Sequence, residues 1–221
     1  MRNKARILIV DDHPLVRRGL AEAVEEQQDM EPCGQASGAA EALQLINETK
    51  PDLVILDLSL QEGSGIDLIK QIKSFCPQVK ILISSMHDES LYGERCVRTG
   101  AEGYISKQEP VDNLIDAVRR ILKNEIFLSD NLSQRMLHKI TGADKEPVYT
   151  GVENLSTRQL EVFRLIGEGL STRQIAERLN LSVKTIESHR ENIRNKLSLE
   201  SGSELTRRAV QWILEEQTAH Q

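Results

Sequence analysis

The stretch that decides the fold is RILIVDD at residues 6–12, a short apolar run that ends in two aspartates. Three further apolar runs end in a similar way: LVIL stands before Asp57, VKILIS before Ser85 and GYIS before Lys107. Each run has the length and composition of a buried strand. Helix-length amphipathic stretches separate the runs, and parallel strands need such connections. The pattern therefore predicts a parallel sheet with polar groups at the ends of its strands.

The first half of the chain predicts five β–α units in total. Pro14 suits the first turn of a helix, where its missing N–H is not needed. This regularity indicates an α/β fold with a flavodoxin-like, doubly wound (βα)5 sheet. We expect strands near residues 6–10, 30–36, 53–57, 79–85 and 103–106. We expect helices near residues 14–27, 39–49, 64–75, 88–99 and 111–124.

Functional groups in such sheets gather at the carboxyl ends of the strands. Taken alone, Asp12 could be a helix cap, Ser85 a turn residue and Lys107 a surface lysine. Their joint placement with Asp11 and Asp57 favours a site. Three carboxylates so close together need a compensating cation, and an oxygen-only set with no His or Cys nearby suits Mg²⁺. A carboxylate flanked by a metal and a lysine can attack a phosphoryl group and form an aspartyl phosphate.

Charge is distributed unevenly along the chain, whose formal net charge is −6. Residues 1–126 carry 15 basic and 21 acidic residues, whereas residues 127–221 carry 13 of each. This contrast favours two domains, one of which could face a polyanion. The three cysteines form no metal-binding or disulfide pattern. Because we find neither a signal peptide nor a long apolar segment, we expect a cytoplasmic protein.

The last third of the chain has an entirely helical pattern. Ser156, Ser171 and Ser182 stand where helix N-caps are expected, and Gly169 suits a left-handed helix end. The second and third helices, joined by a tight turn, are typical of a helix-turn-helix. The alternative is an ordinary solvated bundle. The predicted helices cover residues 157–168, 171–179, 182–197 and 203–216, and a possible short helix covers 131–140.

Residues 5–124 resemble the receiver domain of bacterial response regulators. The matching segments are ILIVDDHPLVRRGL, DLVILDLSLQEGSGIDLI, ILISSMHDE and RTGAEGYISK. The resemblance implies that Asp57 is the phosphoacceptor and that a sensor histidine kinase is the phosphodonor. It implies that Mg²⁺ is bound by Asp11, Asp12, Asp57 and the Ser59 carbonyl. It also implies a switch made of Ser85, Tyr104 and Lys107.

Residues 153–218 resemble the LuxR/NarL-type DNA-binding domain, most specifically in EGLSTRQIAERLNLSVKTIESHRENIRNKL. We therefore predict a receiver at 1–126, a linker at 127–152 and a DNA-binding domain at 153–221. In a helix-turn-helix the second helix enters the major groove of double-stranded DNA. Phosphate contacts are predicted for Lys184, Thr185, Arg190, Arg194 and Lys196. Base contacts are predicted for Ser188 and Asn192, and Glu187 and Glu191 either read cytosine or point away.

A small helical domain usually binds specific DNA as a dimer, so we expect phosphorylation to favour a homodimer. One candidate contact is the face of the last helix that carries Leu205, Ala209, Trp212 and Ile213, although Trp212 could instead close the small core. The receiver helices near 88–99 and 111–124 are the other candidate. The sequence leaves open whether the unphosphorylated receiver masks the recognition helix or merely dimerises too weakly.

The leading interpretation is a transcriptional regulator of a two-component system whose only chemistry is its own aspartyl phosphorylation and dephosphorylation. One alternative is a Mg²⁺-dependent phosphohydrolase, but the best-known family of that kind has a second aspartate where this chain has Ser59. The other alternative is a helical tail that binds protein instead of DNA, which Glu187 and Glu191 slightly favour.

Overall fold

The computed structural model describes residues 4–60, 65–87, 89–141 and 151–218. The chain divides into two compact units, Met1–Ala143 and Asp144–Gln221. Residues 64, 88 and 142–150, which the sequence assigns to two helix starts and to the linker, lie outside the described residues. Within the described ranges no helix is both long enough and apolar enough to cross a bilayer.

The first unit contains a parallel five-stranded sheet in the order β2-β1-β3-β4-β5. This is the flavodoxin-like order, which confirms the predicted fold class. The strands are β1 Ala5–Val10, β2 Met30–Ala36, β3 Leu53–Leu56, β4 Lys80–Ser85 and β5 Gly103–Ser106. The helices between and after them are α1 Pro14–Glu25, α2 Ala39–Thr49, α3 Gly65–Phe75, α4 Glu89–Thr99 and α5 Val111–Leu122.

The central strands are apolar along their whole length because helices cover both faces of the sheet. All four residues of β3 are buried, as are the last four residues of β1. α1 begins at Pro14, which stands at the first helical position as expected. Side chains from α1 and α5 pack on one face of the sheet around Ile7, Ile9 and Ile55. This packing fixes the strand ends on which the polar groups stand.

The first unit extends beyond residue 126, where the sequence places the start of a linker. Phe127 pairs with the edge strand β5, since its amide donates to Glu102 O at 3.0 Å and its carbonyl accepts from Tyr104 N at 2.9 Å. The next helix, α6 Asp130–Thr141, packs on α4 and buries Leu132. The helix predicted at 131–140 is therefore present. It belongs to the folded first unit, because Leu132 is buried beside Gly93 of α4 and Phe127 pairs with the edge of β5.

The second unit is helical and begins with a short 3₁₀ turn at Val152–Asn154. Ser156 and Ser171 each form a complete capping box, with Gln159 and Gln174 respectively, as their sequence spacing indicates. Gly169 has a φ of +86°, the left-handed conformation expected after a helix. The helices are α7 Thr157–Gly167, α8 Thr172–Arg178, α9 Val183–Lys196 and α10 Gly202–Thr218.

Candidate functional site

The polar residues predicted to meet at one edge of the sheet do meet there. Asp11 follows β1 and Asp57 follows β3, and these two strands are neighbours in the sheet. Ser85 ends β4 and Lys107 follows β5, the next pair across. Asp11, Asp57 and Ser85 are each buried. The topology of the sheet therefore brings groups distant in sequence into one pocket.

Lys107 bridges two carboxylates at the centre of this pocket. Its Nζ lies 2.7 Å from Asp57 Oδ2 and 2.7 Å from Asp11 Oδ2, and its side chain is 10% exposed. Burial raises the pKa of the Asp57 carboxyl above its ordinary value, although the bond from Lys107 opposes this effect. Burial would lower the pKa of Lys107, but its bonds to Asp11 and Asp57 raise it overall. The lysine thus stays charged without fully compensating the buried carboxylates.

The acidic cluster has the donor set of a divalent cation site. Donor atoms from Asp11, Asp12, His13 and Asp57 all lie within 4.8 Å of one another. The Asp12 side chain is only 9% exposed, and its Oδ1 accepts no hydrogen bond. That oxygen lies 2.7 Å from His13 Nδ1, at ion-pair distance but without hydrogen-bond geometry. A buried carboxylate oxygen without a donor fits a hard cation such as Mg²⁺.

His13 corrects one part of the sequence interpretation, which placed no histidine near the carboxylates. Its imidazole lies at the mouth of the cluster with 63% of the side chain exposed, and its backbone N–H donates to Asp11 Oδ1 at 2.9 Å. The residue directly follows Asp12, so its position in the sequence was the available signal. The direction of its side chain, however, depends on the backbone conformation at the start of α1, where His13 is the N-cap residue.

Ser59 reaches the site through its backbone. Its N–H donates to Asp57 Oδ1 at 3.1 Å, which holds the loop after β3 against the carboxylate. The predicted role of the Ser59 carbonyl as a metal ligand stays a prediction. The Ser59 hydroxyl makes a separate hydrogen bond to His87 Nε2 at 2.9 Å.

Ser85 and Tyr104, the two other predicted switch residues, are both linked to His87. The Ser85 hydroxyl accepts from His87 N at 3.1 Å, and the Tyr104 hydroxyl donates to the His87 carbonyl at 2.7 Å. Tyr104 is 2% exposed, and burial raises the pKa of its phenol well above the ordinary value. The phenol is therefore a neutral hydrogen-bond donor. The sequence did not reveal these contacts of His87.

A second polar surface lies on α9 in the other unit. Lys184, Glu187, Ser188, Glu191 and Asn192 are exposed, whereas Ile186 and Ile193 are buried on the opposite face. The remaining predicted DNA-contact residues lie on the same helix, with Thr185, Arg190 and Arg194 partly buried and Lys196 exposed. Lys196 Nζ donates to the Asn154 carbonyl at 3.0 Å, so in the free protein it also holds the end of α9.

The α10 face predicted as a dimer contact is the face that closes the core of the second unit. Leu205 and Ala209 are fully buried, and Trp212 packs on Phe163 with ring centroids 5.5 Å apart. Ile213 lies beside Gly167 of α7, where it fills the space of a missing side chain. Leu205, Ala209 and Trp212 thus belong to the core of the second unit, as the alternative interpretation of Trp212 expected, whereas Ile213 stays partly exposed. The role of this face as a dimer contact stays a prediction.

Comparison with known families identifies both units. Residues 7–119 match the response regulator receiver domain, and residues 153–209 match the bacterial regulatory proteins of the luxR family. The chain belongs to the response regulators. It combines a receiver with a LuxR-type helix-turn-helix domain, the arrangement of a phosphorylation-controlled transcriptional regulator in a two-component system.

Relatives and solved structures of other response regulators align with most of the chain. The oxygen regulatory protein NreC of Staphylococcus haemolyticus is 37% identical over 209 residues, which are 93% of this chain and 96% of that protein. RcsB from Salmonella enterica serovar Typhimurium, bound to the promoter rprA in the presence of the phosphomimetic BeF3−, is 28% identical, with a TM-score of 0.68. That alignment covers 93% of this chain and 98% of RcsB. A LuxR-family response regulator from Aurantimonas is 32% identical with a TM-score of 0.58, over 63% of this chain and 99% of its own.

Proposed function

We propose that Asp57 accepts a phosphoryl group from a phosphohistidine of a sensor histidine kinase. The observation that carries this proposal is the burial of Asp57 beside Lys107, whose Nζ lies 2.7 Å from Oδ2. An Asp57 oxygen attacks phosphorus, the phosphorus–nitrogen bond breaks and the histidine leaves. Lys107 is shared with Asp11. It therefore stays bonded to Asp11 when Asp57 becomes an aspartyl phosphate, and its ammonium group then pairs with the phosphoryl oxygens.

Asp11, Asp12, Asp57 and the Ser59 carbonyl would hold Mg²⁺ in this pocket. The bound ion would supply positive charge that neutralises the phosphoryl oxygens during transfer. Asp12 supports this assignment because its buried Oδ1 accepts no hydrogen bond in the protein itself. Receivers as a family bind Mg²⁺ through such an acidic pocket.

Ser85 and Tyr104 form the proposed switch. The Ser85 hydroxyl accepts a bond from His87 N and also contacts the Tyr104 hydroxyl, and because it can rotate it can donate its proton to a phosphoryl oxygen. Tyr104 is already buried, and its hydroxyl donates to the His87 carbonyl. A phosphoryl group that recruits Ser85 would stabilise this inward position of Tyr104. The dianionic group supplies the differential binding energy that a population shift requires.

Helix α9 is proposed to read DNA. Lys184, Arg190 and Arg194 make no ion pair with any described residue, so their charges are free for phosphates, and Thr185 and Lys196 extend the same contact. Ser188 and Asn192 face outward between these cations and would contact base edges, with Glu187 and Glu191 beside them.

Phosphorylation is proposed to favour a homodimer on DNA. One α9 helix covers a single half-site, and two half-sites require two copies of the domain. One of the similar solved structures shows two RcsB dimers bound to two parallel DNAs. Leu205, Ala209 and Trp212 of α10 are buried within the unit, which favours the receiver helices α4 and α5 as the dimer surface in this chain.

The decisive experiment is incubation of the full chain with Mg²⁺ and acetyl phosphate, followed by intact-mass measurement. We expect the mass of one added phosphoryl group, lost in Asp57→Asn and in the absence of a divalent cation. Electrophoretic mobility of promoter DNA should then change with the modified chain only. Modification that persists in Asp57→Asn would contradict the phosphoacceptor assignment, and turnover of a phosphate ester would favour an enzyme.

A further inference from the structure

His87 is a buried imidazole to which the proposed function assigns no role. It is 8% exposed and follows the switch residue Ser85 by two positions. Its Nε2 is hydrogen-bonded to Ser59 Oγ at 2.9 Å, on the loop whose N–H holds Asp57. Its backbone N–H and carbonyl bond Ser85 and Tyr104. One residue thus touches the phosphoacceptor loop and both switch residues.

The imidazole also has a contact on the side away from the pocket. Its ring stacks on Tyr92 of α4, with centroids 4.8 Å apart and an angle of 25° between the rings. Tyr92 is buried, so this stack is part of the packing between the pocket and α4. A displacement of His87 would therefore displace Tyr92 or break the stack, because closely packed interiors leave no room for independent movement.

The residue after Tyr92 is the point where α4 meets α6. A Cβ on Gly93 would lie 2.5 Å from Leu132 Cδ2, so the two helices approach as closely as a glycine permits. Glu89 Oε1 accepts from Ser129 N at 3.1 Å, and the Arg135 guanidinium donates to a backbone carbonyl of α4 at 2.9 Å. α6 is thereby held on α4 at its amino-terminal end and in its middle.

We propose that His87 is a positioning residue that couples the state of Asp57 to the attachment of α6 on α4. This inference rests on the proposed phosphorylation of Asp57. A phosphoryl group on Asp57 changes the acceptor of the Ser59 N–H and engages Ser85, and both of these residues are bonded to His87. The imidazole transmits that change to Tyr92, and the Gly93–Leu132 contact transmits it to α6. α6 is the last helix of the first unit, so the path from Asp57 ends at the element nearest in sequence to the DNA-binding unit.

The test is hydrogen–deuterium exchange of the full chain with Mg²⁺ and with or without beryllofluoride. Occupancy is measured on each sample by fluorine NMR, so that every variant is compared at saturation. We expect beryllofluoride to change the exchange rates of amides in α6 about fivefold or more, the lower end of typical allosteric coupling factors. Amides of α2, which lies far from this path along the sheet, serve as an internal reference.

Two substitutions of His87 separate its two contacts. His87→Phe keeps an aromatic ring for Tyr92 but cannot bond Ser59, whereas His87→Gln keeps a polar group but loses the stack. Because coupling needs both contacts, we expect each variant to lose most of the beryllofluoride-dependent change in α6 at full occupancy. A purely structural role would alter the exchange rates equally with and without beryllofluoride.

Gly93→Ala tests the last step of the path, because its added methyl group must push Leu132 away. We expect faster exchange in α6 without beryllofluoride and little further response to it. Gly19→Ala is the matched control, since Gly19 also stands within a helix of the receiver and its added methyl group would meet no atom within 4 Å. The control should respond like the unaltered chain.

The outcomes separate this inference from the proposed function. Bound beryllofluoride with no change in α6, or an unreduced change in both His87 variants, would overturn the coupling alone. Absence of bound beryllofluoride in the unaltered chain would overturn the phosphoacceptor assignment and the coupling with it. Loss of the response in both His87 variants and in Gly93→Ala, but not in Gly19→Ala, would support the complete path.

Discussion

The acidic pocket and helix α9 both present charged groups, but they present them in opposite ways. In the pocket, Lys107 is 10% exposed and bridges Asp11 and Asp57 at 2.7 Å each. On α9, Lys184 is exposed and pairs with no described carboxylate. In the pocket, the charges are paired with one another within the protein. On the helix, the charge of Lys184 can be paired only by a binding partner.

This difference has an energetic consequence. Charges removed from water cost free energy that only close partners can offset, so each pocket residue depends strongly on the others. An exposed lysine keeps its hydration and contributes little to folding. The pocket should therefore respond to substitution through stability and ion binding, whereas the exposed Lys184 of α9 should respond mainly when DNA is present.

Lys107→Ala should have the largest effect on folding. It leaves Asp11 and Asp57 buried without their shared cation, and removal of one partner from a buried ion pair costs about 3–5 kcal/mol. Urea unfolding followed by circular dichroism measures the loss. Mg²⁺ should restore more stability to this variant than to the unaltered chain, since it replaces the missing positive charge. Lys184→Ala is the control, expected within about 0.5 kcal/mol; equal losses in the two variants would remove the contrast between the regions.

Trp212→Ala should come next and distinguishes the packed part of the helical unit from its surface. Trp212 is 7% exposed against Phe163, so its truncation should cost about 3 kcal/mol. Leu214→Ala, two residues along α10 and 57% exposed, should change the free energy of unfolding by less than about 0.5 kcal/mol. Thermal unfolding at several protein concentrations measures both. A concentration-dependent effect of Trp212→Ala alone would indicate a dimer contact after all.

The pocket was more predictable from the sequence than were its neighbours. A parallel sheet places strand ends at one edge whatever the side chains do, so the meeting of Asp57, Ser85 and Lys107 followed from the spacing of apolar runs. Helix ends were predictable for a similar reason, because the capping boxes at Ser156 and Ser171 are local in sequence.

Features that depend on tertiary contacts were not predictable in this way. The apolar face of α10 was visible in the sequence, but its cover, Phe163 and Gly167 of α7, was not. Leu132 looked like part of a linker because its burial depends on a glycine in α4. The contacts of His87 with Ser59 and Tyr92 likewise depend on side-chain directions that periodicity does not specify.

The pH dependence of the free energy of unfolding tests the pocket with a smaller effect, whose direction is fixed by the raised pKa of Asp57. Burial raises the pKa of Asp57 above its ordinary value of 3.8, so the folded chain holds this proton at pH values where the unfolded chain has lost it. Stability must then fall as pH rises from about 3.8 through the raised pKa. Asp57→Asn removes that titration and should become increasingly stable relative to the unaltered chain over this range, with divalent cations chelated. Urea unfolding at a series of pH values measures the difference in free energy of unfolding between Asp57→Asn and the unaltered chain. A difference that does not grow with pH over this range would contradict the raised pKa of Asp57.

Helix α9 provides the smallest expected effects, all of them in DNA binding. Lys184→Ala should weaken binding to all sequences and reduce the slope of log affinity against log salt by about one, because one phosphate contact releases about one counterion. Lys70→Ala, which removes an exposed lysine from α3 in the receiver, should leave that slope unchanged.

Ser188→Ala removes no charge from α9, so it should relax the preference at one base pair while the salt slope stays the same. Fluorescence anisotropy with specific and scrambled duplexes at several salt concentrations separates the two responses. If Ser188→Ala weakened both duplexes equally, its hydroxyl, which donates to Lys184 O at 3.1 Å, would be holding the turn of the helix and not reading a base.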